Sequence, residues 1–93
     1  MSTPPSVQTE LQLGSALRSH RRAQGMTQAD VAARAGVSRS FVVDLENGKR
    51  TGAELGRVLS VLRALGLGLR VEELPAVAGF DQALAELLGD EHS

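Results

Sequence analysis

Apolar residues recur at intervals of three and four positions in several segments of the chain, which is the spacing of one helix face. A first helix is predicted over residues 10–24, with Gly25 at its end. Its predicted inner face consists of Leu13, Ala16, Leu17 and His20. A later helix is predicted over residues 53–65, with Gly66 after it. Its predicted apolar stripe consists of Leu55, Val58, Leu59, Leu62 and Leu65.

Between these two segments the pattern predicts two short helices joined by a glycine turn. The predicted helices cover residues 27–35 and 38–47. Thr27 can cap the first of them, and Asp30 three residues later completes an approximate capping box. Gly36 follows where a left-handed backbone would end that helix, and Ser38 can cap the next. Two helices joined by such a turn are the sequence signature of a DNA-binding helix-turn-helix.

After the last of these helices, the segment Leu67-Gly68-Leu69-Arg70-Val71-Glu72 alternates apolar and polar residues, which is typical of a strand. No second strand is evident, so the backbone groups of this strand would lack partners within the chain. Pairing with the same segment of a second copy would satisfy them across a two-fold axis. The side chains predicted to face this dimer interface are Leu67, Leu69 and Val71. An extended linker that alternates by chance is the alternative.

Residues 13–65 resemble the helix-turn-helix domain of the Cro and phage-repressor (XRE-type) family. The resemblance depends on Gln28 at the start of the second helix, small Ala32 at the helix crossing and Gly36 at the turn. Further matches are the core positions Val37, Val42 and Leu45 and the run Leu45-Glu46-Asn47-Gly48-Lys49. The resemblance implies an all-α fold of four or five helices like that of lambda repressor, here with one C-terminal strand that pairs across a homodimer.

With the run Leu65-Gly66-Leu67-Gly68-Leu69-Arg70-Val71 directly after it, the domain resembles the HipB-type antitoxins. That resemblance implies a dimer that binds a palindromic operator and restrains a HipA-type Ser/Thr kinase toxin. Two alternatives stay open. The chain could be a stand-alone XRE-type regulator without a toxin, or a helix-turn-helix module that binds only a protein partner.

The net charge of −1 conceals an uneven distribution along the chain. Residues 1–70 contain all ten basic residues and five acidic ones, for a net charge of +5. Residues 71–93 contain six acidic residues and no basic one, for a net charge of −6. A locally basic body suits phosphate binding, because neutralised phosphates release counterions. A chance asymmetry on a solvated surface is the alternative.

The same features suggest four regions. Residues 1–9 are predicted to be a flexible arm, 10–66 the DNA-binding domain, 67–74 the dimerisation strand and 75–93 an acidic tail. The tail is predicted to contain a short amphipathic helix, Phe80–Leu88, for which packing on the dimer or on a partner is favoured.

Helix geometry places the first turn of the second short helix in the major groove. The side chains predicted to face bases or nearby phosphates are Ser38, Arg39, Ser40, Val43 and Asp44. Arg39 can bond guanine through two donors, with a phosphate contact as the alternative, and Val43 can touch a thymine methyl group. Asp44 would repel phosphate unless it accepts from cytosine or pairs with a nearby basic group. A solvated helix charge is its simpler interpretation.

The family resemblance implies phosphate contacts by residues near the starts and ends of these helices. They are Thr27 and Gln28 at the start of the first, and Asn47, Lys49 and Arg50 after the second. It also implies a buried structural ion pair between Arg21 and Glu46. Phe41 is predicted to lie in the core, with exposure against DNA as the alternative.

Composition excludes several other classes. The chain has no Cys and two isolated His, so neither a disulfide framework nor a zinc site is expected. No nucleophile lies beside a base, so we expect neither an enzyme nor a cofactor. No apolar run reaches the ~18 residues of a membrane span. The expected location is the cytoplasm, in association with the nucleoid.

Overall fold

The computed structural model describes residues 6–74, which form four helices. They are α1 (Glu10–Ala23), α2 (Gln28–Ala35), α3 (Arg39–Glu46) and α4 (Leu55–Ala64). The prediction of an all-α helix-turn-helix fold is confirmed, and each helix end lies within two residues of its predicted position. None of these helices is long and apolar enough to cross a membrane. The predicted helix Phe80–Leu88, the rest of the acidic tail and residues 1–5 of the arm lie outside the described residues.

Side-chain caps fix where the two short helices begin. The Thr27 hydroxyl accepts from the Asp30 amide at 3.0 Å, and the Asp30 carboxylate accepts from the Thr27 amide at 2.9 Å. Those bonds from the Thr27 backbone and side chain lower the pKa of Asp30. Ser38 accepts from the Phe41 amide at 3.1 Å, and Gly36 ends α2 with φ at +70°. Both short helices therefore start where the capping pattern predicted.

Helices α2 and α3 lie at the centre of the packing, because they contact each other and α3 also packs on α1 and α2 on α4. Phe41 is only 2% exposed, so its predicted core position is correct. The rest of the core is aliphatic and consists of Leu17, Val31, Ala32, Val42, Leu45, Val58, Val61, Leu62 and Leu65.

Two predicted helix faces are partly wrong. In α4, Leu55 is 62% exposed, and the buried Val61 takes part in the core instead. Leu55 is the first residue of the helix, whereas Val58, Val61 and Leu62 share the face that is buried. In α1, His20 is exposed, and the buried residues are Gly14, Leu17 and Arg21.

Gly14 explains why the inner face of α1 differs from the apolar stripe. A Cβ atom at this position would lie 2.3 Å from the Leu45 carbonyl oxygen and 2.6 Å from that of Glu46. The backbone of α1 therefore approaches the end of α3 more closely than any side chain allows. Leu13 and Ala16 lie beside this contact and are half-buried.

Residues 67–74 follow α4 as a segment with neither helix nor strand pairing within the described chain. Leu67 is half-buried against the chain's own core, whereas Leu69 is 58% exposed and Val71 is fully exposed. The Ser6 hydroxyl donates to the Glu72 carboxylate, so the two ends of the described chain lie side by side. Pairing of this segment with a second copy stays a prediction.

We predict that Gly14→Ala lowers the free energy of unfolding by about 1–3 kcal/mol, because the added methyl group forces α1 away from α3. Gly56→Ala is the matched control, since a Cβ there meets nothing within 4 Å. It should stabilise the helix by about 0.5–1 kcal/mol. Urea unfolding at a fixed protein concentration measures both. If both substitutions changed the free energy of unfolding equally, the close approach of α1 to α3 at Gly14 would be contradicted.

Candidate nucleic-acid interface

Helix α3 divides cleanly into a core face and an outer face. Phe41, Val42 and Leu45 are buried, which fixes the rotation of the helix about its axis. The residues of its first turn and its N-cap are exposed; they are Ser38, Arg39 and Ser40. Val43 and Asp44 are half-buried one turn later on the outer face. All five predicted groove-side residues therefore lie together on one accessible surface.

Arg39 is the basic residue at the start of that surface. It is exposed and has no ion-pair partner among residues 6–74. A guanidinium in this state has its five donors available for the edge of a base or for a phosphate. The described structure is compatible with both interpretations of Arg39.

Asp44 pairs with Arg50, which lies in the loop after α3. The Arg50 Nε atom is 3.7 Å from the Asp44 carboxylate, and both side chains are about 40% exposed. The Arg50 guanidinium carbon also lies 5.1 Å from the centre of the Phe41 ring. Of the alternatives for Asp44, the described structure favours pairing with a nearby basic group.

The residues predicted to contact phosphates are also close to this surface, but in addition to the Thr27 cap and the Arg50 ion pair, Gln28 and Asn47 have side-chain hydrogen bonds within the chain. The Gln28 amide donates to Glu46 at 3.2 Å, and Asn47 accepts from the Arg18 guanidinium at 2.8 Å. Thr27 and Lys49 are exposed. Gln28 and Asn47 would have to share or exchange these hydrogen bonds to contact DNA.

Below this surface lies a buried charged network centred on Glu46. The Arg21 guanidinium donates to both oxygens of the Glu46 carboxylate, at 2.6 and 3.0 Å. It donates further to the Met26 carbonyl at 2.9 Å, and Arg18 lies 3.5 Å from the same carboxylate. Arg21 is 8% exposed and Glu46 4%. The network joins α1, the α1–α2 turn and the end of α3.

The protonation of this pair is fixed by its surroundings. Burial raises the pKa of Glu46, but the bonds from Arg21 and Gln28 outweigh it and lower the pKa below its ordinary value of 4.5. The bond to Glu46 raises the pKa of Arg21 in spite of its burial. Both groups therefore stay charged at neutral pH, and the paired geometry offsets the cost of burying them.

Sequence reasoning missed two residues of this site. Arg18 contacts both Glu46 and Asn47, and its position one helical turn before Arg21 was the available signal. Gly14 also went unnoticed, because a glycine inside a helix shows no sign of the close packing it permits.

Residues 12–74 match the family model described as "Helix-turn-helix domain". The chain is also 40% identical over 65 residues to a protein of Sinorhizobium fredii named "Uncharacterized HTH-type transcriptional regulator y4mF". That match covers 70% of this chain and 84% of the relative. The chain belongs to the helix-turn-helix transcriptional regulators.

Several solved structures have a fold similar to that of the chain. The restriction-modification controller protein C.AhdI from Aeromonas hydrophila is 32% identical, with a TM-score of 0.59 over 63% of this chain and 88% of its own. HipB in its complex with the O2 20-mer has a TM-score of 0.71 at 22% identity, over 78% of this chain and 100% of HipB. A chain of the HipA-HipB-O2-O3 complex has a TM-score of 0.70 at 21% identity, over 77% and 100%. At this identity the likeness to HipB concerns the fold.

The described residues contain no group of three or more acidic, His or Cys side chains that could hold a metal ion. The polar groups of this surface are the Ser38 and Ser40 hydroxyls, the Arg39 guanidinium and the Asp44 carboxylate, which is paired with Arg50.

We predict that acid destabilises the fold through Glu46. Because its folded-state pKa is lowered, the stabilisation by the pair is complete above the ordinary pKa of 4.5 and is lost as the pH falls through the folded-state value. Glu46→Gln should cost about 3–5 kcal/mol at pH 7, since it leaves Arg21 buried without a counter-charge. Urea unfolding measures the free energy of unfolding at pH 7 and at about pH 3.5. Between these two pH values, that free energy should fall less for the variant than for the wild type. The same pH dependence in both proteins would exclude this role of Glu46.

Proposed function

We propose that the chain is a sequence-specific DNA-binding repressor that acts as a homodimer on a palindromic operator. The observation that carries the proposal is the orientation of α3. Its apolar face is fixed in the core, and its exposed first turn offers Ser38, Arg39 and Ser40 to the major groove. The net charge of +5 over residues 1–70 supports phosphate binding around that helix.

In this proposal Thr27, Gln28, Asn47, Lys49 and Arg50 contact the DNA backbone and position α3. The start of α2 supports this role, because the Gln28 and Ala29 amides have no partner within the helix and favour an anion, whereas Thr27 caps the Asp30 amide. Arg21 and Glu46 have a purely structural role. The protein acts in the cytoplasm at the nucleoid.

The dimer is proposed to form through residues 67–74. Leu69, Val71 and Leu74 are exposed apolar side chains on a segment whose backbone lacks strand partners within the described chain. Exposed apolar side chains of this kind favour an interface, and a two-fold related copy would pair the backbone as well. Two copies of α3 would then lie about 34 Å apart and enter successive major grooves.

We further propose that the repressor is the antitoxin of a HipBA-like type II system and binds a HipA-type kinase. Similarity of fold to HipB over its full length supports this partner. A stand-alone regulator is the second candidate, and the 32% identity to a restriction-modification controller protein favours it. Co-purification with a kinase-like protein from the neighbouring gene, and rescue of growth from it, would distinguish the two.

We predict that Arg39→Ala weakens binding to the promoter fragment that the wild type prefers by about 1–3 kcal/mol. It should also relax the sequence preference at one base pair. The measurement is a gel shift across a salt series, on fragments of the chain's own promoter against random duplex. Arg63→Ala is the matched control, because it removes the same charge from a residue in the last turn of α4. If the wild type shows no preference for any fragment over random DNA, the proposal of sequence-specific binding fails.

We predict that Val71→Asp converts the dimer to a monomer, since two carboxylates would then oppose each other in the paired segment. Leu55→Asp, which alters an exposed leucine outside that segment, should leave the dimer intact. Sedimentation velocity measures the mass of each variant. A dimer that survives Val71→Asp and a second substitution, Leu69→Asp, would place the interface elsewhere.

A further inference from the structure

The acidic residue on the proposed DNA surface is paired in a particular way. Asp44 lies on the outer face of α3, and Arg50 approaches it from the following loop, with 3.7 Å between Nε and the carboxylate. The loop itself is fixed, because the Lys49 amide donates to the Asp44 carbonyl at 2.9 Å. The position of Arg50 relative to α3 is therefore determined by short local contacts.

A second contact locates the Arg50 guanidinium. Its central carbon lies 5.1 Å from the centre of the Phe41 ring, and that ring is buried and cannot move away. The Nε atom is covered and has no hydrogen bond within residues 6–74, although the side chain as a whole is 40% exposed. The exposed part of the Arg50 side chain therefore consists of atoms other than Nε. It lies at the edge of the surface formed by α3.

Stability does not explain this pair. A half-exposed ion pair at this distance contributes about 0–1 kcal/mol. The chain contains a pair with the same 3.7 Å separation, Arg57 with Glu54, which lies at the start of α4 and is more exposed. What distinguishes Asp44 and Arg50 is their place beside the helix proposed to enter the groove.

We infer that Asp44 is a specificity-determining residue that acts through Arg50. The inference rests on the proposed DNA-binding function and deepens it. By neutralising Arg50, Asp44 removes about one phosphate contact from binding to arbitrary DNA, where affinity comes almost entirely from phosphate neutralisation. At the operator, base contacts by α3 fix the duplex, and a phosphate at the groove edge takes the place of Asp44. Asp44 thereby weakens non-specific binding more than specific binding.

The test uses the full chain and two 20-base-pair duplexes, one of random sequence and one enriched by the wild type from a random pool. Asp44→Asn should raise affinity for the random duplex about three- to tenfold and steepen its salt slope by about 0.9. Affinity for the enriched duplex should change by less than about twofold, so the specificity ratio falls. In an Arg50→Met background, Asp44→Asn should have almost no effect on the random duplex.

Glu54→Gln, alone and with Arg57→Met, is the matched control, and it should leave both affinities unchanged. An equal effect of Asp44→Asn with and without Arg50 would overturn the inference, since the carboxylate would then act only through its long-range field. Loss of affinity for the enriched duplex together with a changed base preference would also overturn it, because Asp44 would contact a base. If the wild type enriches no duplex at all, the proposed function fails and the inference falls with it.

Discussion

The buried bond between Arg21 and Glu46 is the interaction on which the rest of this structure depends. It links α1 to the last residue of α3 at 2.6 Å, directly beside the point where Gly14 lets the two backbones meet. Because neither charge can be left unpaired in this environment, the end of α3 has one position relative to α1. The apolar residues of α3 then fix its rotation about its axis. The residues on the opposite side of the helix form its outer face.

The proposed DNA surface follows from this constraint. Charges that stabilise the fold lie beneath α3, whereas Arg39 and Lys49 on its outer side have no ion pair within the described residues. Gln28 takes part in both layers, since it lies at the start of α2 and donates to Glu46. The helix proposed to contact bases is thus supported by the network that stabilises the domain, and substitutions in that network should alter DNA binding through geometry.

The helices could be predicted from the sequence because their signals are local. Capping residues such as Thr27 and Ser38 act within one turn, and the glycine turn between them allows a backbone that other residues avoid. The packing faces were harder, because apolar spacing cannot show that α1 approaches α3 through Gly14, or that Leu55 lies beyond the contact with α2. The pairing of Asp44 with Arg50 depends on the path of a loop, which spacing alone does not determine.

In the proposed complex, the outer face of α3 enters the DNA groove. Amide chemical-shift changes, measured while the labelled chain is titrated with the duplex that it enriches, would show which residues contact the DNA. We predict the largest changes at residues 38–44, with further changes at the start of α2 and in the loop at Lys49 and Arg50. Changes confined to α4 or to α1, with residues 38–44 unaffected, would contradict the placement of α3 in the groove.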